Sequence, residues 1–163
     1  MIWPMIEKRI DRKTLEKLLD PIGRKILNLL QENARLSFAE IGRSAGLSSP
    51  AIAERVRRLE EEGIISGYHA DVTLKEIGRP LLAFIRMQVT TEKYQRFIAF
   101  SKKSSEVLEC HHLSGGDSFI LKVAVASVSE LEQLISGLSV YGSTMTSIVL
   151  SSVVRKHVVE VNA

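Results

Sequence analysis

Apolar residues in the first third of the chain recur with the three- to four-residue spacing of amphipathic α-helices. The first clear run lies between Ile22 and Leu30, and it follows Asp20 and Pro21, a pair typical of a helix start. Aspartate caps the first turn, and proline fits the first helical position because its missing N–H has no intrahelical partner there. This spacing predicts a helix over 20–33 and, further along, helices over 37–45 and 49–62.

The second and third of these helices are joined by a short turn. Ser37 and Glu40 form the capping-box pattern that opens a helix, and Gly46 is the kind of residue that commonly ends one. In the third helix an apolar stripe runs from Ile52 to Leu59, whereas the opposite side carries arginines and glutamates. Two helices joined in this way are typical of a helix-turn-helix, which lays its second helix into the major groove of DNA.

The polar side of the third helix and the two helix starts supply the candidate DNA contacts. The N-terminal half of such a helix enters the groove. Serine hydroxyls and backbone N–H groups at helix starts bind the phosphates beside the groove, whereas arginine binds either a guanine in the groove or a phosphate. The candidates are Ser37, Ser48, Ser49, Pro50, Ala51, Glu54, Arg55, Arg57 and Arg58. Arg57 fits a base or a phosphate contact, whereas Arg55 and Arg58 fit phosphate contacts or pairs with the glutamates at 60–62. Taken alone, the third helix also fits a solvated helix with internal ion pairs, so the preceding cap and turn carry the prediction.

The second half of the chain is predicted to alternate strands and helices. Residues 64–72 read as extended, and residues 81–89 alternate apolar and polar positions with the period of two that marks a half-buried strand. Later patterns predict a helix over 92–103, strands over 106–113 and 119–126, a helix over 127–138 and a strand over 146–154. The order βαββαβ is the ferredoxin-like arrangement.

These elements predict an α+β chain with two domains. The layout is an unassigned N-terminal arm over 1–18, a winged-helix-like helix-turn-helix domain over 19–72, a linker over 73–80 and a ferredoxin-like domain over 81–163.

Composition narrows the class of protein without identifying a partner. The 163 residues are 45% hydrophobic and 25% charged, which is ordinary for a globular protein. The net charge of +3 is small, and the first 80 residues hold 14 Lys and Arg against 12 Asp and Glu, so the position of the charges matters more than their total. No apolar run is long enough for a membrane span or a signal peptide, and a single cysteine fits a reducing, cytoplasmic compartment.

Metal binding and catalysis are not predicted. The run Cys110-His111-His112 contains ligand-type residues, but strand alternation turns the central histidine away from the other two, and no second ligand cluster exists in the sequence. Asp117 lies near these histidines in the sequence, but no nucleophilic residue stands at a spacing typical of a catalytic site with them. The chain is therefore predicted to be neither an enzyme nor a protein with a resident cofactor.

In both predicted domains, the chain resembles the Lrp/AsnC family of transcriptional regulators. The first domain carries the resemblance in LDPIGRKILNLLQENAR and SFAEIGRSAGLSSPAIAERVRRLEEEGIISGY, and the second in LSGGDSFILKVAV and YGSTMTSIVLSS. The resemblance implies a DNA-binding head, a C-terminal domain that forms homodimers, which often assemble into octamers, and a small effector, usually an amino acid, bound between C-terminal domains.

The resemblance also implies candidate effector residues. They are Ser114, Gly115, Gly116, Asp117, Ser118 and Phe119 on one loop, with Thr144, Thr146 and Ser147 as a second segment. Glycine backbone N–H groups suit a carboxylate, and Asp117 suits an ammonium group; the same residues also fit a plain hairpin turn. The family's commoner form has acids where Gly116 and Ser118 stand, so the resemblance leaves the identity of the effector open.

The sequence thus predicts a sequence-specific regulator of transcription that binds double-stranded DNA as a homo-oligomer under the control of a small effector. An amino-acid sensor whose head binds protein and not DNA is the alternative, and a small enzyme on a ferredoxin-like domain is a third hypothesis.

Overall fold

A computed structural model describes residues 10–116, 118–154 and 158–161 of the chain. These residues form two compact units. One holds the described residues up to Ala70 together with those from Val154 onwards, and the other runs from Asp71 to Val153. The first unit is called the head below.

The head is built from four helices. They are α1 (Arg12–Leu18), α2 (Pro21–Glu32), α3 (Phe38–Ala45) and α4 (Ser49–Glu61). The three helices predicted from the sequence are confirmed to within a residue at each end, with Asp20 and Ser37 as capping residues. The segment 64–72, predicted to be extended, joins no strand, so the described head has no β-wing.

The apolar stripes of the helices meet in one core. Ile26 of α2, Ile41 of α3 and Ile52 of α4 are fully buried there. The sequence places the segment 158–161 with the second domain, but this segment contacts the head. The side-chain amide of Gln31 bonds both backbone groups of Val159, each at 3.0 Å, and Val161 packs against the head core.

The turn between α3 and α4 depends on the absence of a side chain at Gly42. The Leu47 N–H donates to the Gly42 carbonyl at 3.0 Å, and the Gly46 N–H donates to it as well, so the turn folds tightly over α3. A Cβ added at Gly42 would lie 2.5 Å from the Leu47 carbonyl oxygen. Gly46 adopts a left-handed φ of 72° that favours glycine, and a Cβ there would have open space around it.

We expect Gly42→Ala to lower the free energy of unfolding by about 1–3 kcal/mol, because the added methyl forces the turn away from α3. Urea unfolding followed by circular dichroism measures this. Gly46→Ala is the matched control, in which only the left-handed backbone is penalised, at about 1 kcal/mol. A Gly42→Ala protein as stable as the wild type would contradict this account of the turn.

The second unit is a four-stranded antiparallel sheet with two helices. Its elements are β1 (Leu81–Val89), α5 (Tyr94–Lys103), β2 (Val107–His112), β3 (Phe119–Val125), α6 (Val128–Ser139) and β4 (Gly142–Ile148). The strand order is β2-β3-β1-β4, which confirms the ferredoxin-like prediction. Both helices cover one face of the sheet, where Ile85, Phe97 and Leu138 lie in the core.

The predicted position of the last strand, 146–154, is wrong. The strand begins at Gly142, which pairs with Val89, and it ends at Ile148, which pairs with Ala83. Gly142 can begin the strand because its missing side chain lets it pass close to β1, since a Cβ would lie 1.8 Å from the Gln88 carbonyl oxygen. The apolar residues after Ile148 resemble a strand in sequence, but β1 offers almost no further partners, and Leu150 is 96% exposed.

The other face of the sheet is covered by neither α5 nor α6. Phe84 and Arg86 of β1 project from this open face, together with Lys122 of β3 and Met145 of β4. Phe84 is 38% exposed and Met145 is 58% exposed, which is unusual for apolar residues in the middle of a sheet. No helix in the described part of the chain is both long enough and apolar enough to cross a membrane.

Candidate nucleic-acid interface and effector loop

The second helix of the helix-turn-helix, α4, presents its charged side to solvent. Ile52, Val56 and Leu59 are buried against the head core, as the periodicity predicts. The opposite side exposes Glu54 and Arg57, and the Arg57 side chain retains 53% of its accessible surface. The head therefore offers an outward helix face of the size that enters a major groove.

The charged groups on this face form one network. Both carboxylate oxygens of Glu54 accept from Arg57, at 2.8 and 2.9 Å, and Arg58 donates to Glu54 at 2.9 Å. Glu61, one turn further on, also accepts from Arg57. Hydrogen bonds from the two arginines lower the pKa of Glu54 to about 2, so this carboxylate stays ionised at neutral pH. Acids of the same helix thus hold both arginines on the exposed face.

Arg55 has a different environment. Its two terminal nitrogens donate to the two carboxylate oxygens of Asp20, at 2.8 and 2.9 Å. Asp20 is also the cap of α2, where it accepts from the Gly23 N–H at 2.7 Å. The bidentate pair with Arg55 is the main reason that the pKa of Asp20 lies below its usual value. Arg55 therefore ties α4 to the start of α2, a contact that the sequence interpretation did not foresee.

The serine candidates lie at helix starts. Ser37 forms the predicted capping box, in which its N–H donates to Glu40 at 2.8 Å and its hydroxyl oxygen accepts from the Glu40 N–H at 3.3 Å. Ser48 is the N-cap residue of α4, but its side chain makes no capping hydrogen bond, so its hydroxyl is available to a ligand. The exposed Ser49 and Pro50 and the half-buried Ala51 follow in the first turn.

The candidate effector loop closes the hairpin between β2 and β3. Ser118 anchors it, because its hydroxyl bonds both backbone groups of Val89 at 3.2 Å and its N–H donates to Met87 at 2.8 Å. Ser114, Gly115 and Gly116 are exposed, whereas Asp117 lies outside the described residues.

Phe119, the last loop candidate, is a core residue. Its ring centroid lies 4.7 Å from that of Phe97 and 4.8 Å from that of His112. The side chain thus supports the loop from below, and the exposed surface of the loop comes from the residues before it.

The second group of effector candidates lies on β4. Thr144 and Thr146 are half-buried on the helix-covered side of the sheet, and Ser147 is exposed on the open face. Thr144 pairs with Met87, which pairs with Phe119 on the other side, so Thr144 reaches the same end of the sheet as the loop. Thr146 and Ser147 lie further along the strand.

The sequence offers the glutamates at 60–62 as partners of Arg55 and Arg58, but the structure pairs Arg55 with Asp20 and Arg58 with Glu54. Glu61 binds Arg57 instead, at the four-residue spacing typical of ion pairs on one helix. The sequence interpretation also did not include Lys17 near these sites. Lys17 of α1 lies beside α4, and no local pattern reveals that long-range placement.

Comparisons with known proteins agree with this geometry. A family model described as the AsnC-type helix-turn-helix domain matches residues 19–60, and one described as the Lrp/AsnC ligand binding domain matches residues 82–159. The HTH-type transcriptional regulator YezC of Bacillus subtilis is 39% identical over 134 residues, which are 82% of this chain and 95% of that protein. The HTH-type transcriptional regulator LrpC of the same organism is 32% identical over 139 residues, 85% of this chain and 96% of that protein.

A solved structure supports the same relationship. The transcriptional regulator NMB0573 of Neisseria meningitidis, in complex with L-Met, superposes with a TM-score of 0.82 at 28% identity, covering 88% of this chain and 97% of that chain. Relatives in sequence and structure therefore match both units in the same order. The chain belongs to the Lrp/AsnC family of transcriptional regulators.

Proposed function

We propose that this regulator reads duplex DNA by inserting the exposed face of α4 into the major groove. The observation that carries the proposal is the network of Glu54, Arg57 and Arg58 on that face, held outward on a helix whose opposite side is sealed in the head core. Arg57 is the candidate base contact, Arg58 and Ser48 are candidate phosphate contacts, and Arg55 positions α4 through Asp20.

The acids in the network give the proposed contact its selectivity. Arg57 can leave Glu54 and Glu61 only for an acceptor pair that binds a guanidinium comparably well, such as the O6 and N7 of a guanine. Near an unsuitable base the arginine stays with its own carboxylates, and these repel the phosphates. Glu54 released from Arg57 is itself able to accept from the amino group of a cytosine.

We infer that two copies pair through the open face of the sheet. A single head offers too few contacts for tight specific binding, and pairing doubles them and places two heads on one duplex. Support comes from the exposed Phe84 and Met145 on a face that neither α5 nor α6 covers. Further assembly, up to an octamer, is what the family resemblance implies.

An amino acid is the proposed effector, bound where the loop from Ser114 to Ser118 meets the end of the sheet. Exposed glycines at 115 and 116 leave backbone N–H groups accessible to a carboxylate. The complex of the meningococcal relative with L-Met favours this ligand class. Such a ligand controls transcription only if it binds one assembly or head orientation better than another. Binding of any such effector raises the melting temperature, so thermal-shift screening against the twenty amino acids tests it.

Selection of duplexes from a random library by the full-length protein, followed by binding measurements on the recovered sequences, tests the proposed DNA reading. We expect recovered duplexes to share a palindromic pattern and to bind about a thousandfold or more tighter than scrambled duplexes. A head that instead binds protein would enrich no sequence. We also infer a cytoplasmic location, with which the single cysteine is consistent.

A further inference from the structure

The helix that precedes the helix-turn-helix is a fixed part of the head. The match to the AsnC-type domain begins at residue 19, so α1 lies outside it. Asp11 caps α1 by accepting from the Thr14 N–H at 3.0 Å, and Leu18 is buried in the head core. The Leu18 carbonyl lies against Gly23 of α2, where a Cβ would be only 1.8 Å from its oxygen. These contacts hold α1 in one position relative to α2.

That position lies along one flank of α4. Helices α1 and α4 border an open groove of about 610 Å³, lined by Lys17 of α1, by Asp20 at the start of α2, and by Glu54, Arg55 and Arg58 of α4. Glu54 and Arg58 also belong to the exposed network that is proposed to enter the major groove. Lys17 therefore stands next to the edge of the DNA-reading face.

Both acidic side chains along this groove are already bound by arginines, so Lys17 has no carboxylate partner there. Asp20 is bound by both terminal nitrogens of Arg55, and Glu54 is shared by Arg57 and Arg58. Within the part of the chain that the structure describes, Lys17 has no ion-pair or hydrogen-bond partner, and its side chain is exposed. Of all the groups in a duplex, the phosphate is the one that best complements an unpaired ammonium group beside a DNA-reading helix.

We propose that α1 is a second DNA-contacting element, in which Lys17 binds a backbone phosphate of the strand beside the groove that α4 enters. The inference rests on the proposed DNA reading by α4. When Glu54 and Arg58 face the duplex, the α1 flank of α4 faces one sugar–phosphate backbone, and Lys17 extends the phosphate contacts of Arg58 along it. The contact adds affinity without sequence information.

Salt dependence of binding by the full chain tests this contact. Each phosphate that a cation neutralises contributes about −0.9 to the slope of log affinity against log salt concentration. We expect Lys17→Ala to reduce the magnitude of that slope by about 0.9 per bound head and to weaken binding about five- to tenfold at 0.1 M salt, equally on recovered and scrambled duplexes. Lys17→Arg should keep the wild-type slope. Lys102→Ala, which removes an exposed lysine of α5 in the other unit, is the charge-matched control and should leave the slope unchanged.

The outcomes separate the two proposals. If Lys17→Ala binds with the wild-type slope while Arg57→Ala loses binding, DNA reading stands and the contact by α1 is wrong. A Lys17→Ala protein that binds more tightly would mean that α1 covers the DNA face, which also overturns the contact. If neither variant changes binding, the DNA-reading face itself is misassigned. Unchanged melting temperatures of the lysine variants establish that the head remains folded.

Discussion

Replacing Arg57 with alanine is expected to weaken binding to the recovered duplexes by about ten- to a hundredfold per head. Arg57 lies at the centre of the exposed face of α4, where it donates to Glu54 and Glu61. If it binds a base, its loss relaxes the sequence preference at one position of each half-site, and affinity for scrambled duplexes changes little. Fluorescence anisotropy on duplexes carrying all four bases at each position measures both quantities.

A matched variant separates the arginine from the network around it. Glu61→Gln leaves the Arg57 cation in place and removes one of the carboxylates that hold it. We expect this variant to bind all duplexes more tightly, with a steeper salt slope and weaker discrimination, because the arginine is released to phosphates. A uniform loss with Arg57→Ala and a salt slope smaller by about one would instead assign Arg57 to a phosphate. No change in either quantity would remove Arg57 from the interface.

The second large effect is expected from Phe84→Lys. Phe84 lies on the open face of the sheet between Lys122 and Ser147 of the neighbouring strands. In a symmetric pair each copy would bury an additional cation against the other, which disfavours association. We expect a monomer in sedimentation experiments and DNA binding weakened by about a hundredfold or more, since only one head then engages each site.

The added lysine makes this test more stringent. A further cation on the chain favours DNA binding by electrostatics, so a loss of affinity must come from lost pairing. Ile77→Lys, at an exposed apolar position of the same unit, is the control and should remain paired. A Phe84→Lys protein that pairs like the wild type would place the subunit contact elsewhere.

Local patterns in the sequence were sufficient to predict most helices and strands. Asp20, Ser37 and Gly46 each satisfy a backbone requirement within a few residues, so the bounds of α2, α3 and α4 could be predicted closely. The error at β4 has the opposite cause. Whether residues 146–154 pair depends on the length and register of β1, which is distant in sequence. The regular pairing with β1 ends at Ile148, which lies opposite Ala83.

The same division applies to the candidate sites. The exposed face of α4 follows from helical periodicity, which separates Glu54 and Arg57 from the buried stripe. Pairing of Arg55 with Asp20 across 35 residues could not be predicted, because it depends on how α4 crosses α2. The position of Lys17 beside α4 likewise depends on tertiary packing, through Leu18 and Gly23.

Guanine methylation protection of a recovered duplex, with the wild-type protein and with Arg57→Ala, tests most directly whether α4 reads DNA. Because methylation occurs at N7 in the major groove, the wild-type protein is expected to protect guanines in two half-sites about ten base pairs apart, or a multiple of that distance. Protection of these guanines should be lost with Arg57→Ala. A wild-type protein that protects no guanine, or the same pattern with both proteins, would contradict DNA reading by the exposed face of α4.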